Sequence, residues 1–290
     1  MPVALDRLLA IRLHKEHVFT KKDVMLYALG LGLGTDDTDL PFVYEDGLQV
    51  LPTFGAVMGY PGFWLKDDLT LGIDWRKVLN GEQSIRMHKP LPAEGTVTGE
   101  MRVTDIVDKG EGKDCLLYTA RDVRDSSGAL LCEVLNTVVL RGHGGFGGPP
   151  TRSSASAAQA AQVPRPDRVA DHVLDFPILE QAALIYRLSG DYNPLHADPA
   201  IAREAGFPRT ILHGAATWGI AGHLLLRALC GGNASLARSF GARFTSPVFP
   251  GETLRTEIWK VEPGRAVFRC SVPTRDKNVL DAGEFSFTPA

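Results

Sequence analysis

The pattern of apolar and polar residues changes its period near Gln83. Upstream, a helix is predicted to begin near Thr20 and Asp23 and to run through Met25–Leu29 before a series of glycines ends it. From Gln83 onward, apolar and polar residues alternate in segments separated by clusters of Gly, Pro, Asp and Ser, a pattern typical of antiparallel strands. Four strands are predicted in this region: Gln83–Pro90, Thr96–Asp108, Cys115–Asp125 and Leu130–Leu140.

The order of elements is repeated in the second half. Helices are predicted at roughly 178–188, 199–206 and 214–229, followed by strands near 236–246, 252–261, 265–273 and 279–287. The halves also share local sequence, since Tyr27-Ala-Leu corresponds to Tyr186-Arg-Leu, and Pro90-Leu-Pro-Ala-Glu-Gly-Thr96 corresponds to Pro247-Val-Phe-Pro-Gly-Glu-Thr253. A duplicated unit of helix plus four-stranded antiparallel sheet is the simplest explanation, which predicts an α+β fold.

Three other segments divide the chain. Residues 1–22 are predicted to be a lead-in, a segment that precedes the first helix and contributes no element of the duplicated unit. Leu51–Met58 is predicted to be the start of a second helix. A segment rich in Gly, Pro, Ser and Ala has too few large apolar residues to bury a core, which predicts an interdomain linker at 142–166. The predicted units are therefore 1–141 and 167–290. A glycine-rich phosphate-binding loop is the alternative for 142–150, but no helix start follows it.

Composition narrows the classes of function. The 290 residues are 44% hydrophobic, have a net charge of −3, and lack a basic block typical of nucleic-acid or membrane binding. The four cysteines form no CxxC pair, which predicts reduced core thiols rather than disulfides or a metal site. No segment resembles a signal peptide, a membrane span or a peroxisomal tripeptide, so we expect a cytoplasmic protein.

The chemistry-bearing stretch lies between two predicted helices. Asp191, Asn193 and His196 bring a carboxylate, an amide and an imidazole together within six residues. Gly190 and Pro194 interrupt any helix there, so a loop carries the cluster, as is common for functional residues. A carboxylate and an imidazole can share one water and divide proton transfer between them.

Several motifs resemble one known family. Tyr186-Arg-Leu-Ser-Gly-Asp-Tyr-Asn-Pro-Leu-His196, with Ala205-Gly-Phe-Pro and Ile211-Leu-His-Gly214, resembles the hydratase 2 signature of the MaoC-like (R)-specific enoyl-CoA hydratases. Further similar motifs cover nearly the whole chain: Leu51-Pro-Thr-Phe-Gly55, Gly81-Glu-Gln83, Lys89-Pro-Leu-Pro92, Asp108-Lys-Gly110, Gly144-Gly-Phe-Gly-Gly148 and Ala242-Arg-Phe-Thr-Ser-Pro-Val248. The chain is similar to the hydratase 2 domain of peroxisomal multifunctional enzyme type 2. The resemblance implies a double hotdog, in which each of two antiparallel sheets wraps around a long helix.

The resemblance also implies an activity, the hydration of trans-2-enoyl-CoA to (R)-3-hydroxyacyl-CoA without a cofactor or metal. Asp191 and His196 would hold the water, Asn193 would orient them, and the backbone N–H of Gly214 would contact the thioester oxygen. It further implies a homodimer. The implied CoA and acyl contacts are Asn80, Gly81, Lys109, Tyr192 and Phe244, where Asn80 occupies a position that is His in some relatives.

Alternatives remain at this stage. A dehydratase for a branched, dicarboxylic or carrier-bound acyl thioester would have the same cluster, and a hotdog thioesterase or a non-catalytic acyl-CoA binding module would have the same fold. Asp198 is predicted to be only a helix N-cap, and His213 and His223 are predicted to be structural. Which of Asp191 and His196 takes the proton is left open.

Overall fold

The ten strands form one antiparallel sheet in the computed structural model, which describes residues 3–153 and 163–289. The first half contributes β1 (Arg12–Phe19), β2 (Val78–Met87), β3 (Gly95–Asp108), β4 (Cys115–Asp125) and β5 (Leu130–Leu140). The second half contributes β6 (His172–Pro177), β7 (Ala237–Phe244), β8 (Thr253–Glu262), β9 (Arg265–Val272) and β10 (Lys277–Phe287). Their order across the sheet is β1-β3-β4-β5-β2-β7-β10-β9-β8-β6.

The two halves meet where β2 pairs with β7. This register runs from Glu82 opposite Arg243 to Arg86 opposite Ser239. The two predicted sheets are therefore joined edge to edge, which removes two strand edges that would otherwise be exposed. The duplicated arrangement confirms the double hotdog.

Seven α-helical segments are described: α1 (Leu5–Leu9), α2 (Lys21–Leu31), α3 (Leu40–Val43), α4 (Trp64–Asp67), α5 (Ala182–Tyr186), α6 (Pro199–Glu204) and α7 (Gly214–Cys230). The longest, α7, is buried along most of its length and packs against β7, β8 and β10. It ends at Gly231, which has a left-handed conformation with φ +57°. Helix α2 packs against α5 and α7, so one core cluster includes residues from both halves.

The first half differs from the second at the position of the long helix. Where Leu51–Met58 is predicted to start a helix, the structure has a single 3₁₀ segment, Pro52–Ala56. A Cβ at Gly55 would lie 2.6 Å from Ile85 Cδ1, so this segment lies directly against the sheet. A left-handed glycine, Gly59 at φ +60°, follows it and turns the chain away. Among the described residues, the first half therefore has no helix as long as α7 at this position, although both halves keep the antiparallel sheet of the double hotdog.

The predicted strands differ from the observed ones at the sheet edges and at β2, which spans Val78–Met87 rather than the predicted Gln83–Pro90. The bounds of β4 and β5 are as predicted, whereas the edge strands β1 and β6 were not predicted. Strand β1 lies inside the predicted lead-in and is largely exposed, so its sequence lacks the apolar alternation that marks a half-buried strand. Edge strands are commonly charged or proline-containing, and β6 ends in Pro177.

The glycine-rich segment after β5 is bound rather than free where it is described. The Asp108 carboxylate accepts N–H bonds from Gly145, Gly147 and Gly148 at 2.7, 3.0 and 3.2 Å. Residues 154–162 of the predicted linker lie outside the described residues.

The four cysteines are all buried, and none forms a disulfide bond. Among the described helices, none is long and apolar enough to cross a membrane.

Candidate active site

Short turns hold the predicted catalytic loop between α5 and α6. Gly190, at φ +114°, ends a 3₁₀ turn, a conformation that favours glycine. The Asn193 side chain accepts the N–H of Leu195 at 3.1 Å and thereby caps the 3₁₀ turn Pro194–His196. Asp198 caps α6 in the same way, as predicted, through the N–H of Ala200 at 2.8 Å. The amide oxygen of Asn193 is therefore engaged in holding the loop.

The loop folds back onto the start of α7 and brings three side chains together. The rings of His196 and His213 stack with centroids 3.7 Å apart. His213 Nε2 lies 3.1 Å from the backbone oxygen of Asp191, and His196 Nδ1 lies 2.9 Å from that of Ile211. Potential ligand atoms of Asp191, His196 and His213 all lie within 4.8 Å of one another. This spacing suits one shared water and would also suit a metal ion, so the expected absence of a metal stays a prediction.

Burial keeps both imidazoles neutral. It lowers the pKa of His196, and the nearby Asp191 charge only partly opposes this effect. Burial and the neighbouring His196 lower the pKa of His213 to about 2. A carbonyl oxygen can only accept a hydrogen bond, so His196 donates from Nδ1 and its Nε2 is an acceptor. The site therefore presents a neutral imidazole acceptor beside a carboxylate.

The lowered histidine pKa values predict acid sensitivity of the fold. The unfolded chain binds these protons below about pH 6.5, whereas folded His213 resists protonation down to about pH 2. Stability is therefore fully present above about pH 6.5 and is lost as the pH falls below it, by up to about 1.4 kcal/mol per pH unit per group. Urea unfolding at a series of pH values between about 8 and 5 measures this slope before most carboxylates titrate.

A His213→Phe variant is the matched comparison for that measurement. Phenylalanine keeps an aromatic ring beside His196 but cannot bind a proton. We expect its unfolding free energy to be lower overall, because the bond to Asp191 is lost, yet to depend less steeply on pH. An unchanged slope would show that His213 takes up no extra proton on unfolding.

The start of α7 presents free backbone donors. Ala216 and Thr217 both donate to the carbonyl oxygen of His213 at 3.1 Å. In the described ranges, the N–H groups of Gly214 and Ala215 have no acceptor, as expected for the first turn of a helix. Phe244 covers this turn, because a Cβ at Gly214 would lie 3.2 Å from its Cε1 atom. Two donors at the positive helix end therefore remain available to an anionic oxygen.

A cavity of about 130 Å³ extends from this point between the two halves. The second half contributes Tyr186, Gly190, Asp191 and Ala215 to its wall. The first half contributes the inner faces of β2–β5 and the segment from Ala56 to Leu65. The space that a long helix would fill in the first half is thus partly open, and Asp191 forms part of its wall.

The predicted binding residues are distributed unevenly around this cavity. Asn80 lines it, and Gly81 lies at a bulge in β2, where a Cβ would come within 3.0 Å of Val139. Lys109 is exposed in the β3–β4 hairpin, and Tyr192 is 59% exposed with Arg187 stacked on its ring at 4.9 Å. The other predicted site residues are not among those that line the cavity: Gly81, Lys109, Tyr192, Asn193, His196, Gly214 and Phe244. Asn80, Asp191 and the start of α7 are therefore brought together, while Lys109 and Tyr192 lie outside.

Sequence reasoning missed several residues of the site. His213 was predicted only to shape a turn, but it packs directly on His196. Tyr60 and Arg121 come from the first half, and both line the cavity. Tyr60 is 37% exposed as a whole, and desolvation of its hydroxyl, followed by the Asp191 charge, raises its pKa. One indication of Arg121 was present in the sequence: it is a charged residue on the face of β4 whose other positions, such as Thr119 and Val123, are buried.

Comparisons with known proteins identify the family of the chain. The family described as "MaoC like domain" matches residues 161–282, and the "MFE-2 hydratase 2 N-terminal domain" matches residues 17–142. The chain is 46% identical to 3-hydroxyacyl-thioester dehydratase Y of Mycobacterium tuberculosis, over 93% of each chain. It is 38% identical to the peroxisomal enoyl-CoA hydratase 2 of Arabidopsis thaliana, over 95% of this chain and 93% of that protein.

A solved structure extends the match to three dimensions. The crystal structure of a MaoC-like dehydratase from Phytophthora capsici superimposes with a TM-score of 0.85 at 31% identity. The match covers 99% of this chain and 100% of that one. The chain therefore belongs to the MaoC-like hydratase 2 family of two-hotdog proteins.

Proposed function

We propose that the protein is a hydro-lyase that reversibly hydrates trans-2-enoyl-CoA to (R)-3-hydroxyacyl-CoA. The observation that carries this proposal is the closeness of the Asp191 carboxylate to the neutral His196 imidazole, beside a cavity whose wall includes Asp191 and Ala215 of the first turn of α7. The N–H groups of that turn have no acceptor in the described ranges. These groups match the needs of the reaction, which are a proton acceptor for water, a proton donor for C2 and a donor to the thioester oxygen.

The protonation state of the site suggests a division of roles. Water held between Asp191 and His196 attacks C3 and passes a proton to Nε2 of His196, while the double-bond electrons move onto the thioester oxygen. The imidazolium then returns that proton to C2, so that one water is added and His196 is neutral again. The Asp191 carboxylate binds the water's second hydrogen and stabilises the transient imidazolium. Delivery of both groups from one side makes the addition syn.

The start of α7 would stabilise the enolate. The N–H of Gly214 points out of the first helical turn, where the helix dipole favours negative charge. A fixed donor of this kind typically lowers the barrier by about 3–4 kcal/mol. Phe244 covers the same turn and would exclude water from the thioester.

The remaining contacts follow from the positions of the residues. Asn80 and Gly81 would line the acyl path, and Tyr192 and Lys109, outside the cavity, would contact CoA. Asn193 would act by holding the loop that carries Asp191 and His196. This chemistry requires no cofactor beyond the CoA of the substrate. We further propose that the protein works in the cytoplasm as a homodimer.

A specialised acyl thioester is the second candidate. The relative from Mycobacterium tuberculosis is named a 3-hydroxyacyl-thioester dehydratase, and the reaction is reversible. The first-half wall of the cavity decides which acyl group fits, because Asp191 and His196 would be the same for any of them.

Crotonyl-CoA tests the proposal directly. We expect its enoyl-thioester absorbance to fall on addition of the purified protein, and the product to be oxidised only by an (R)-specific 3-hydroxyacyl-CoA dehydrogenase. A parallel reaction coupled to an (S)-specific dehydrogenase is the control. Release of free CoA would instead indicate a thioesterase. Saturable binding of crotonyl-CoA and longer enoyl-CoA without turnover would indicate a binding module.

A further inference from the structure

Polar side chains form a row across the inner face of the first-half sheet. Thr119 on β4 pairs with Asn136 on β5, which pairs in turn with Gln83 on β2. All three line the cavity, and Gln83 and Thr119 are buried. Much of the remaining wall is apolar, including Val57, Phe63 and Leu65. An aliphatic acyl chain would pack against that part, but it would cover the three polar groups at a cost, because each loses water without gaining a partner.

Arg121 lies two residues further along β4 on the same face. It is 2% exposed and lines the cavity. One guanidinium nitrogen, Nη2, donates to the backbone oxygens of Gly55 and Ala56, the first at 3.1 Å. The Nε atom is buried with no acceptor, and the guanidinium lies over the ring of Tyr60 at 5.4 Å.

No carboxylate of the described ranges 3–153 and 163–289 pairs with Arg121. Other arginines of this sheet are paired, since Arg102 and Arg124 both contact Asp122 at 3.0 and 3.3 Å. Burial lowers the pKa of Arg121 to about 10, so it is still charged at neutral pH. A buried charge without a counter-ion is costly. The bonds to Gly55 and Ala56 use only one of its three nitrogens.

We propose that the acyl group of the preferred substrate ends in a carboxylate that pairs with Arg121, with Gln83, Asn136 and Thr119 as additional hydrogen-bond partners. The proposal rests on the proposed hydratase function and names its substrate class, the monothioesters of unsaturated dicarboxylic acids. The substrate carboxylate supplies the counter-ion that the protein lacks, and the guanidinium can bind it through planar, charge-assisted hydrogen bonds.

Matched substrate pairs test the inference. One member is trans-2-hexenoyl-CoA and the other is the CoA monothioester of trans-2-hexenedioic acid, and the pair is then lengthened by two carbons at a time. At one or more lengths we expect kcat/KM to be about 10- to 100-fold higher for the carboxylate-ended member, as for a charge-assisted hydrogen bond. Preference for the methyl-ended member at every length would overturn the inference but leave the hydratase function intact. Absence of turnover with any enoyl-CoA would overturn both.

Arg121→Met separates recognition from structural support. We expect it to remove the preference, mainly by raising KM for the carboxylate-ended member, while the methyl-ended member changes less than about threefold. Arg124→Met, on the opposite face of β4, is the matched control and should keep the preference. An equal loss with both substrates would show that Arg121 only holds the Gly55–Ala56 segment. If Arg121→Met does not fold, Arg121→Lys is used instead, because it keeps the positive charge but loses the planar guanidinium. The substrate preference of the wild-type protein tests the inference without any variant.

Discussion

Replacing Asp191 by Asn should lower kcat for enoyl-CoA hydration by about 10²- to 10⁴-fold, the usual contribution of a positioned acid–base group. Asparagine keeps the shape of the side chain and can still accept the N–H of Asn193, which the carboxylate accepts at 3.2 Å. It loses the charge that would hold the water and stabilise the His196 imidazolium. His196→Ala should have a comparable effect. Initial rates with crotonyl-CoA, measured by loss of enoyl-thioester absorbance, provide the test.

Asp198→Asn is the matched control for this prediction. Asp198 lies on the same loop, but its carboxylate caps α6, and Asn is an equally good cap. We expect this variant to keep near-normal turnover. Circular dichroism and thermal unfolding should show that all three variants are folded. Near-normal rates in either Asp191→Asn or His196→Ala would exclude the proposed roles.

The sequence predicted the local parts of this site well because they are close together in the chain. Asp191 and His196 share one loop, and Gly214 begins a helix whose apolar length is evident from the sequence. In contrast, the stacking of His213 on His196 depends on how the loop folds back onto α7. The contribution of Arg121 and Tyr60 depends on how the two halves face each other, which local periodicity does not encode.

The fold shows the same division between local and long-range information. The hairpin between β4 and β5 was predicted to the residue, because the Asp125 carboxylate organises its turn through bonds to Ser127 and Ala129. The joining of the sheets through β2 and β7 was not predicted, since pairing partners far apart in sequence leave no local signal. The 3₁₀ segment at Pro52–Ala56 was misread for a related reason. It packs closely against Ile85 and Cys132 of the sheet, and this long-range contact is not evident from the local sequence.

A buried pair also connects the halves away from the site. His223 Nε2 on α7 lies 3.0 Å from the Oδ1 atom of Asp39 in the first half, a close contact that is not aligned as a hydrogen bond, and both side chains are fully buried. The other Asp39 oxygen accepts the N–H of Gly34 at 3.0 Å. Burial acts to raise the pKa of Asp39, but the contacts with His223 and Gly34 outweigh it, so that the pKa is lowered. Phe42 and Phe176 enclose the His223 ring edge-on.

Asp39→Ala should therefore lower the free energy of unfolding by about 2–3 kcal/mol, because it removes the carboxylate beside a buried imidazole and leaves the N–H of Gly34 without its acceptor. Urea unfolding followed by circular dichroism measures the change. Asp36→Ala is the matched control, since Asp36 lies in the same turn and pairs with Arg227 on the same helix, but at the surface. Its loss removes a surface ion pair and the cap on the N–H of Thr38, which together should cost about 1 kcal/mol. Equal effects of the two substitutions would show that the buried pair does not stabilise the contact between the halves.

A double variant, Asp39→Leu with His223→Leu, should be less destabilised than the sum of its single variants, because neither polar group is then left buried alone.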